Sequence, residues 1–226
     1  MTEPSPAREA AARAALEHIE PGMTIGLGSG RAVWRVVELL GERAGGVRSA
    51  FASDRTAELA REAGIEPVEL DGDTRLDVAI DGADEIDPDL GLIKGGGAAL
   101  LRERIVIAAA ERFVVVAEER KRVDRLGETF KLPVEVVRFA WQDTRRRVLD
   151  LLPGAELRTD DGGAPLVTDE GHHLLDCELP AVSDIRGLAA ALRQTTGVVD
   201  HGLFLDVADV VLVGKEDGSV EQLEPG

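Results

Sequence analysis

The sequence predicts an α/β fold, in which helices cover a largely parallel sheet and a smaller α+β domain is inserted. In the first half of the chain, short apolar runs alternate with helical patterns. The clearest run, FVVVA at 113–117, is apolar at every position, which is typical of a strand buried on both faces of a parallel sheet. After Lys131 the pattern changes, because LPVEVVRF alternates like a half-buried strand. This change indicates the inserted domain.

The first half predicts strands and helices in alternation. Its helices are expected at 32–43, 55–63 and 98–112. Its strands are expected at 23–27, 47–52, 66–70, 76–80, 92–93 and 113–117. Because ligands of open parallel sheets bind beyond the carboxyl ends of the strands, the loops that follow these strands are the candidate binding loops.

The second half predicts the order β-α-β-β-α-β of a ferredoxin-like domain. Ser183 is a good N-cap for its second helix, and a hairpin is expected to turn near 169–171. The elements are expected at 132–139, 141–152, 155–159, 166–179, 183–194 and 197–205. The apolar run 208–223 is expected to return to the first sheet. The predicted domains are therefore 1–130 with 205–226, and 131–204 as the insertion.

The composition excludes several classes of function. The 226 residues carry a formal net charge of −17, so the chain should repel nucleic acids and anionic membranes. No apolar run approaches the roughly 20 residues that span a bilayer, and the N-terminal segment lacks the apolar core of an export signal. Cys177 is the only cysteine, which fits a reducing cytoplasm. We therefore expect a cytoplasmic protein without nucleic-acid or membrane partners.

The first candidate loop is IGLGSGRAV at 25–33, a strand followed by a glycine-rich turn and a helix start. Backbone N–H groups at such a turn suit a phosphate. The glycines fall at 26, 28 and 30, so the dinucleotide pattern GxGxxG is absent, and no lysine completes a Walker motif. The alternative is a plain tight turn.

The second candidate loop is DGADE at 81–85, directly after the predicted strand LDVAI. Gly82 permits a sharp turn that would bring Asp84 to the same side as Asp81. Two carboxylates at the end of a strand can bind sugar hydroxyls, exchange protons or hold a divalent metal. The alternative is a solvated acidic loop.

The third candidate segment is IKGGGAALLRER at 93–104. Lys94 follows a strand, and the glycines 95–97 allow close approach of the backbone to a ligand. Glu103 follows on a helix, where partly apolar surroundings would favour a catalytic base. The alternative is a surface glutamate that pairs with a neighbouring arginine. The four histidines show no metal-ligand spacing, and no metal is expected.

These motifs together resemble the ribose-5-phosphate isomerases of the A type. The resemblance rests on AIDGADEID, IKGGGAALLRERIV and AEERKRVDRLG, and it extends over nearly the whole chain through PGMTIGLGSG, LPVEVV, VTDEGHHLLDC, GVVDHGLF and ADVVLVG. It implies a Rossmann-like domain with an inserted smaller α+β domain, and no metal or organic cofactor. It also implies a homodimer or homotetramer that interconverts D-ribose 5-phosphate and D-ribulose 5-phosphate.

The resemblance also implies residue roles. Glu103 corresponds to the proton-transferring base, Asp81 and Asp84 to the carboxylates that contact the sugar and assist ring opening, and Lys94 to a group that stabilises developing negative charge. The implied substrate-binding residues are Ser29, Gly30, Arg31, Ala32, Gly82, Ala83, Gly95, Gly96, Gly97, Lys121 and Arg8, of which Lys121 and Arg8 would contact the phosphate.

The loop GSGRAV departs from the family pattern GTGST-A. Ser29 keeps one hydroxyl, whereas Arg31 and Ala32 replace the later serine and threonine. Arg31 either clamps the phosphate through two hydrogen bonds or points to solvent, with reduced affinity or a shifted substrate preference. A sugar-phosphate sensor without turnover is therefore the alternative function, and the glycine spacing disfavours a nicotinamide oxidoreductase.

Overall fold

The computed structural model describes residues 5–43 and 46–226. Residues 1–4, 44 and 45 lie outside the described residues. At these positions the predictions for the N-terminal segment and for the 1–130 domain are not tested. Two compact units are present. The first comprises Met1–Ala83, Arg102–Arg122 and Asp206–Gly226, and the second comprises Asp84–Leu101 and Val123–Leu205. The predicted insertion lies within the second unit, which also contains 84–101 and 123–130, and the domain division stays a prediction.

The described part of the chain contains fourteen strands and six α-helices. The strands are β1 (Thr24–Leu27), β2 (Arg48–Phe51), β3 (Glu66–Pro67), β4 (Val78–Gly82), β5 (Glu85–Ile86), β6 (Leu92–Ile93), β7 (Phe113–Glu118), β8 (Leu132–Val136), β9 (Glu156–Leu157), β10 (His173–Cys177), β11 (Val198–His201), β12 (Leu203–Phe204), β13 (Val210–Gly214) and β14 (Val220–Leu223). The helices are α1 (Pro6–Ala15), α2 (Arg31–Gly41), α3 (Asp54–Glu62), α4 (Leu100–Ala108), α5 (Trp141–Leu149) and α6 (Ile185–Gln194). Among them, no helix is long and apolar enough to cross a membrane.

The first unit is built on a seven-stranded sheet in the order β14-β13-β7-β4-β1-β2-β3. All neighbours are parallel except β13 and β14, which confirms the α/β prediction and the return of the C-terminal run to the first sheet. The central strands β1, β7 and β13 are buried along their whole length, as their largely apolar sequences predict. The strand order reverses between β1 and β4, and ligands of open α/β sheets bind at such a reversal.

Small residues bring α1 close to this sheet. Ala7, Ala11, Ala12 and Ala15 form its buried face. A Cβ on Gly214 of β13 would lie 1.8 Å from the carbonyl oxygen of Ala7. Glycine at 214 is therefore required for the helix to pack at this distance.

The second unit contains the predicted ferredoxin-like arrangement. Its antiparallel sheet has the order β11-β8-β10-β9, and α5 and α6 supply the two helices of the β-α-β-β-α-β order. Their shared core includes Leu132, Val134, Val136, Val148 and Leu192. A second small sheet in this unit has the order β12-β6-β5.

Some predicted elements differ from the structure for local reasons. The α6 helix is capped by Asp184, whose Oδ1 accepts from the Gly187 N–H at 2.7 Å, and not by Ser183. The predicted helix 98–112 is observed only over Leu100–Ala108, and it starts later than predicted because Ala98 has φ +61°, a left-handed conformation that a helix excludes. The 166–179 hairpin turns as predicted, with the Thr168 N–H donating to the His172 carbonyl, but only its second arm is a strand.

Candidate active site

In the first unit, the loop after β1 has the geometry of an anion site. Gly30, at φ +103°, is the N-cap of α2 and offers no side-chain acceptor to the N–H groups of the first helical turn. Those groups carry the positive end of the helix dipole. Arg31 is exposed at the first position of α2, and Ala32 is half-buried beside it. The loop can therefore receive a phosphate through backbone donors.

A chain of hydroxyl groups fixes this loop. Ser29 Oγ donates to Ser53 Oγ at 3.0 Å, Ser53 Oγ donates to Thr56 Oγ1 at 3.0 Å, and Thr56 Oγ1 donates to the Gly28 carbonyl at 2.9 Å. Trp34 Nε1 adds a fourth donor, to Thr56 Oγ1 at 3.1 Å. These hydrogen bonds orient the hydroxyl of Ser29. Sequence reasoning missed Ser53, Thr56 and Trp34, because serine after a strand and threonine in a helix are indistinguishable from ordinary capping residues.

Asp81 lies at the end of β4, next to the same loop. Its side chain is only 1% exposed, and its Oδ1 accepts from the N–H groups of Ser29 at 3.1 Å and Gly82 at 2.7 Å. A Cβ on Gly28 would lie 1.9 Å from the Asp81 carboxyl carbon. Gly28 therefore makes room for the carboxylate, which is buried and hydrogen-bonded, so the alternative of a solvated acidic loop does not hold for Asp81.

Glu103 lies in the first turn of α4 and is 4% exposed. Its neighbour Arg102 pairs with Asp54 at 2.7 Å. Glutamate is rarely buried to this extent without a specific reason. The burial argues against the alternative of an ordinary surface glutamate.

Arg8 binds a carboxylate within the first unit. Its Nε and Nη2 donate to Glu118 Oε1 at 3.1 and 2.8 Å, while Arg120 Nε donates to Glu118 Oε2 at 3.0 Å. Burial favours a higher pKa for Glu118, but the hydrogen bonds from Arg120 and Arg8 outweigh it and lower the pKa to about 2. Lys121 follows, half-buried itself, at the end of a 3-10 turn whose other residues are exposed. A phosphate contact by Arg8 would therefore compete with Glu118.

In the second unit, Lys94 is 2% exposed. Its N–H donates to the Gly202 carbonyl at 2.9 Å, and its Nζ lies 5.5 Å from the ring centroid of Phe204, within the range of a cation–π interaction. The amine is thus buried on a strand end against an aromatic face.

The glycine run 95–97 is fixed by specific contacts. Gly95 has φ +106°, and a Cβ there would lie 2.8 Å from Leu100 Cδ2. The Gly96 N–H donates to Asp84 Oδ2 at 2.7 Å, and the Asp84 N–H donates to the Ile93 carbonyl at 2.7 Å. Asp84 is therefore oriented by the glycine run, and the Gly96 N–H is used for this purpose.

Glu85, the last acid of DGADE, has a structural role. It is 0% exposed. Its Oε2 accepts from the Gly127 N–H at 2.6 Å, and its Oε1 accepts from the Thr129 N–H at 2.5 Å, the Thr129 hydroxyl at 2.7 Å and the Phe130 N–H at 2.7 Å. The carboxylate thus fixes the loop 127–130. The sequence motif alone gave no signal that separated this acid from Asp84.

The histidines and the cysteine of the second unit have local partners. His172 Nδ1 lies 2.9 Å from Glu135 Oε1, and His173 Nδ1 lies 2.8 Å from the Leu166 carbonyl. Burial raises the pKa of the Cys177 thiol to about 12, so this cysteine is unreactive. Within residues 5–43 and 46–226, no group of three or more acidic, histidine or cysteine side chains could hold a metal ion.

Comparison with known proteins decides the family. A family model described as ribose 5-phosphate isomerase A (phosphoriboisomerase A) matches residues 50–218. The chain belongs to this family. It is 47% identical over 225 residues to the ribose-5-phosphate isomerase A of Ruegeria pomeroyi, covering 95% of this chain and 86% of the relative. It is 49% identical over 223 residues to that of a Roseiflexus species, covering 96% of each.

Solved structures agree with this family assignment. The ribose 5-phosphate isomerase of Plasmodium falciparum superposes with a TM-score of 0.92 at 32% identity, covering 97% of this chain and 98% of the other. A D-ribose-5-phosphate isomerase in complex with phospho-erythronic acid superposes with a TM-score of 0.91 at 38% identity, covering 96% and 97%. The predicted family, the fold class and the assignment as an isomerase are therefore confirmed.

The predicted site residues of this isomerase family member fall into two groups. Ser29, Gly30, Arg31, Ala32, Asp81, Gly82, Ala83, Glu103, Lys121 and Arg8 belong to the first unit. Asp84, Lys94, Gly95, Gly96 and Gly97 belong to the second. The structure adds Ser53, Thr56 and Trp34, whose hydrogen bonds fix the loop of Ser29.

Proposed function

We propose that the chain interconverts D-ribose 5-phosphate and D-ribulose 5-phosphate through an enediolate, with Glu103 as the proton-transferring base. The family assignment supports this reaction. The observation that favours these residues is the burial of three ionisable side chains, Asp81, Lys94 and Glu103, each less than 5% exposed. Burial of a charged side chain is costly, and these three belong to the candidate segments 81–85 and 93–104.

The proposed chemistry balances without a redox partner. In the open-chain aldose, the Glu103 carboxylate removes the C2 proton, the C–H electron pair forms the C1–C2 double bond, and the C1 carbonyl oxygen takes the negative charge. Return of the proton to C1, with transfer of the hydroxyl proton from O2 to O1, gives the ketose. A positioned base contributes roughly 10² to 10⁴ in rate, and each donor to the enediolate oxygens roughly 10² to 10³. Lys94 is the proposed cationic donor.

Asp81 and Asp84 are proposed to bind sugar hydroxyls and to assist opening of the furanose ring. Both carboxylates are already oriented by backbone N–H groups, Asp81 by Ser29 and Asp84 by Gly96. Such fixed acceptors reduce the entropy lost when a hydroxyl binds. Gly82 and Ala83, between the two acids, are proposed to contact the sugar through their backbone.

The phosphate is proposed to bind at the start of α2. The N–H groups of Gly30, Arg31 and Ala32 supply donors there, and the helix dipole adds to them. The Ser29 hydroxyl, which donates to Ser53 Oγ, would have to turn from that bond to donate to the phosphate. Lys121 and Arg8 are the proposed basic contacts. The exposed position of Arg31 allows its guanidinium to reach a phosphate in place of the hydroxyls that the family pattern has.

We further propose that the enzyme works without a metal or organic cofactor, as a homodimer or homotetramer in the cytoplasm. The chemistry above supports cofactor independence, because protonic groups suffice for an enediolate. The charge of −17 argues against nucleic-acid and membrane partners. Light scattering of the purified protein measures the oligomeric state.

The reaction is tested with purified protein, ribose 5-phosphate and EDTA, with the ketose product followed by absorbance. Glu103→Gln should lower kcat by at least about 10²-fold while binding of phospho-erythronic acid stays near normal. Glu111→Gln, an exposed glutamate beyond the same helix, is the matched control and should keep full activity. In D2O, the wild-type enzyme should place deuterium at C1 of the ketose to the extent that the proton on Glu103 exchanges with solvent before it is returned.

The outcomes separate the two candidate functions. Near-normal turnover by Glu103→Gln would show that another group is the base. Binding of ribose 5-phosphate by the wild-type protein without turnover would instead support a sugar-phosphate sensor.

A further inference from the structure

Arg158, 55 residues beyond the proposed base in sequence, contacts the glycine run directly. It follows β9 in the second unit, and its side chain is only 13% exposed. Its Nη1 donates to the Gly95 carbonyl at 2.7 Å and to the Gly96 carbonyl at 3.3 Å. Arg158 lies between the motifs LPVEVV and VTDEGHHLLDC and belongs to neither.

Asp176 on β10 fixes the orientation of this guanidinium. Arg158 Nε donates to Asp176 Oδ2 at 2.9 Å, and Arg158 Nη2 donates to Asp176 Oδ1 at 2.5 Å. A bidentate pair of this kind holds the guanidinium plane as well as its position. A lysine could neutralise Asp176, but it could not make the fork to Asp176 and reach the two carbonyls at once.

The planar peptide unit converts these carbonyl contacts into control of N–H groups. In a trans peptide, the carbonyl of one residue and the N–H of the next point in opposite directions. Arg158 holds the Gly95 carbonyl, so it directs the Gly96 N–H to the other side, where that N–H binds Asp84 Oδ2 at 2.7 Å. Its contact with the Gly96 carbonyl directs the Gly97 N–H in the same manner.

The glycine run needs such a contact because glycine has more backbone freedom than any other residue. Within the run, the Ala98 N–H closes a turn onto the Gly95 carbonyl at 3.1 Å. This turn and the φ of +106° at Gly95 set the path of the chain. The arginine then selects the orientation of the two following peptide planes.

We propose that Arg158, aligned by Asp176, is a positioning residue for the isomerisation: it fixes the peptide planes of the glycine run and thereby orients Asp84 and the Gly97 N–H toward the substrate. This inference rests on the proposed function. Arg158 itself touches neither substrate nor reacting atoms in this role. Its loss should therefore lower turnover more than substrate binding.

The test uses Arg158→Lys and Asp176→Asn, with Arg125→Lys as the matched control. Arg125 also donates to two carbonyls of the second unit, those of Leu126 and Leu179, each at 3.2 Å. Both test variants should lose about 10- to 100-fold in kcat, with KM changed less than about threefold, because donors are displaced and not removed. The control should keep kcat within twofold.

Two further measurements separate positioning from a structural role. In Arg158→Ala, guanidinium ion at millimolar concentration should partly restore kcat without raising Tm. In spectra of protein labelled with 15N-glycine, the amide signals of Gly96 and Gly97 should shift in Arg158→Lys and stay in place in Arg125→Lys. These shifts report the contacts of Arg158 with the glycine run even if the wild-type protein does not isomerise ribose 5-phosphate. The two proposals can therefore fail separately. Unshifted amides, or a kcat within twofold of wild type in folded Arg158→Lys, would overturn the inference.

Discussion

Replacing Glu85 by glutamine should destabilise the protein strongly although the side chain keeps its volume. The carboxylate accepts four hydrogen bonds while fully buried, three on Oε1 from Thr129 and Phe130 and one on Oε2 from Gly127. An amide has one acceptor oxygen. Its best orientation keeps the oxygen toward Thr129 and Phe130, so its NH2 group faces the Gly127 N–H.

The magnitude follows from these four bonds. The Gly127 N–H loses its partner in a buried position, which costs about 1–3 kcal/mol, and three charge-assisted bonds become neutral ones. We expect a loss of about 4 kcal/mol in the free energy of unfolding. For a chain of 226 residues, a change of this size lowers Tm by roughly 8 to 16 °C.

The assay is thermal unfolding followed by circular dichroism. The matched control is Glu128→Gln in the same loop, an exposed residue that accepts a single bond from the Asp124 N–H at 3.1 Å. The control should change Tm by no more than about 3 °C. Equal, small shifts in both variants would refute the conclusion that Glu85 fixes the loop 127–130.

Two further predictions concern the first unit. The pKa of Glu118 is lowered from 4.5 to about 2, so its arginine contacts contribute at most about 3 kcal/mol above pH 4.5, and this contribution is lost as the pH falls from 4.5 to 2. Wild type should therefore lose its stability advantage over Glu118→Gln across that interval, and a constant difference in Tm would contradict the assignment. Gly28→Ala should lower kcat/KM at least about 10²-fold, because the new Cβ displaces the Asp81 carboxylate. Gly46→Ala, which meets no atom within 4 Å, should leave the rate unchanged, and equal rates in the two variants would show that Asp81 tolerates the shift.

Local patterns predicted most elements to within a few residues. Runs such as FVVVA identify buried parallel strands because every position is apolar, and the order β-α-β-β-α-β emerged from the change in periodicity after Lys131. The helix ends were less predictable. The cap of α6 fell on Asp184 and not on the adjacent Ser183, since both side chains are suitable caps and only the backbone geometry selects between them.

The sequence predicted the residue types of the candidate site but not the hydrogen bonds that hold them. Asp84 and Glu85 are adjacent acids in one motif, yet Asp84 is oriented by the glycine run and Glu85 is enclosed by a loop more than 40 residues away. Arg8 was expected to contact the phosphate, and the structure places its guanidinium on Glu118. The partners of Glu85 and Arg8 lie more than 40 residues away in sequence.

The amino-acid sequence by itself determined the order of strands and helices, the acidic character of the chain and the residue types gathered at the ends of β1, β4 and β6. These features depend on periodicity and composition within short windows. Tertiary structure alone decided that Asp81 is buried beside the loop of Ser29 and that Glu85 anchors the loop 127–130. It also brought Arg158 to a carbonyl 63 residues away. The physical reason is that hydrogen-bond partners distant in sequence are set by strand register and chain path, which no local pattern encodes.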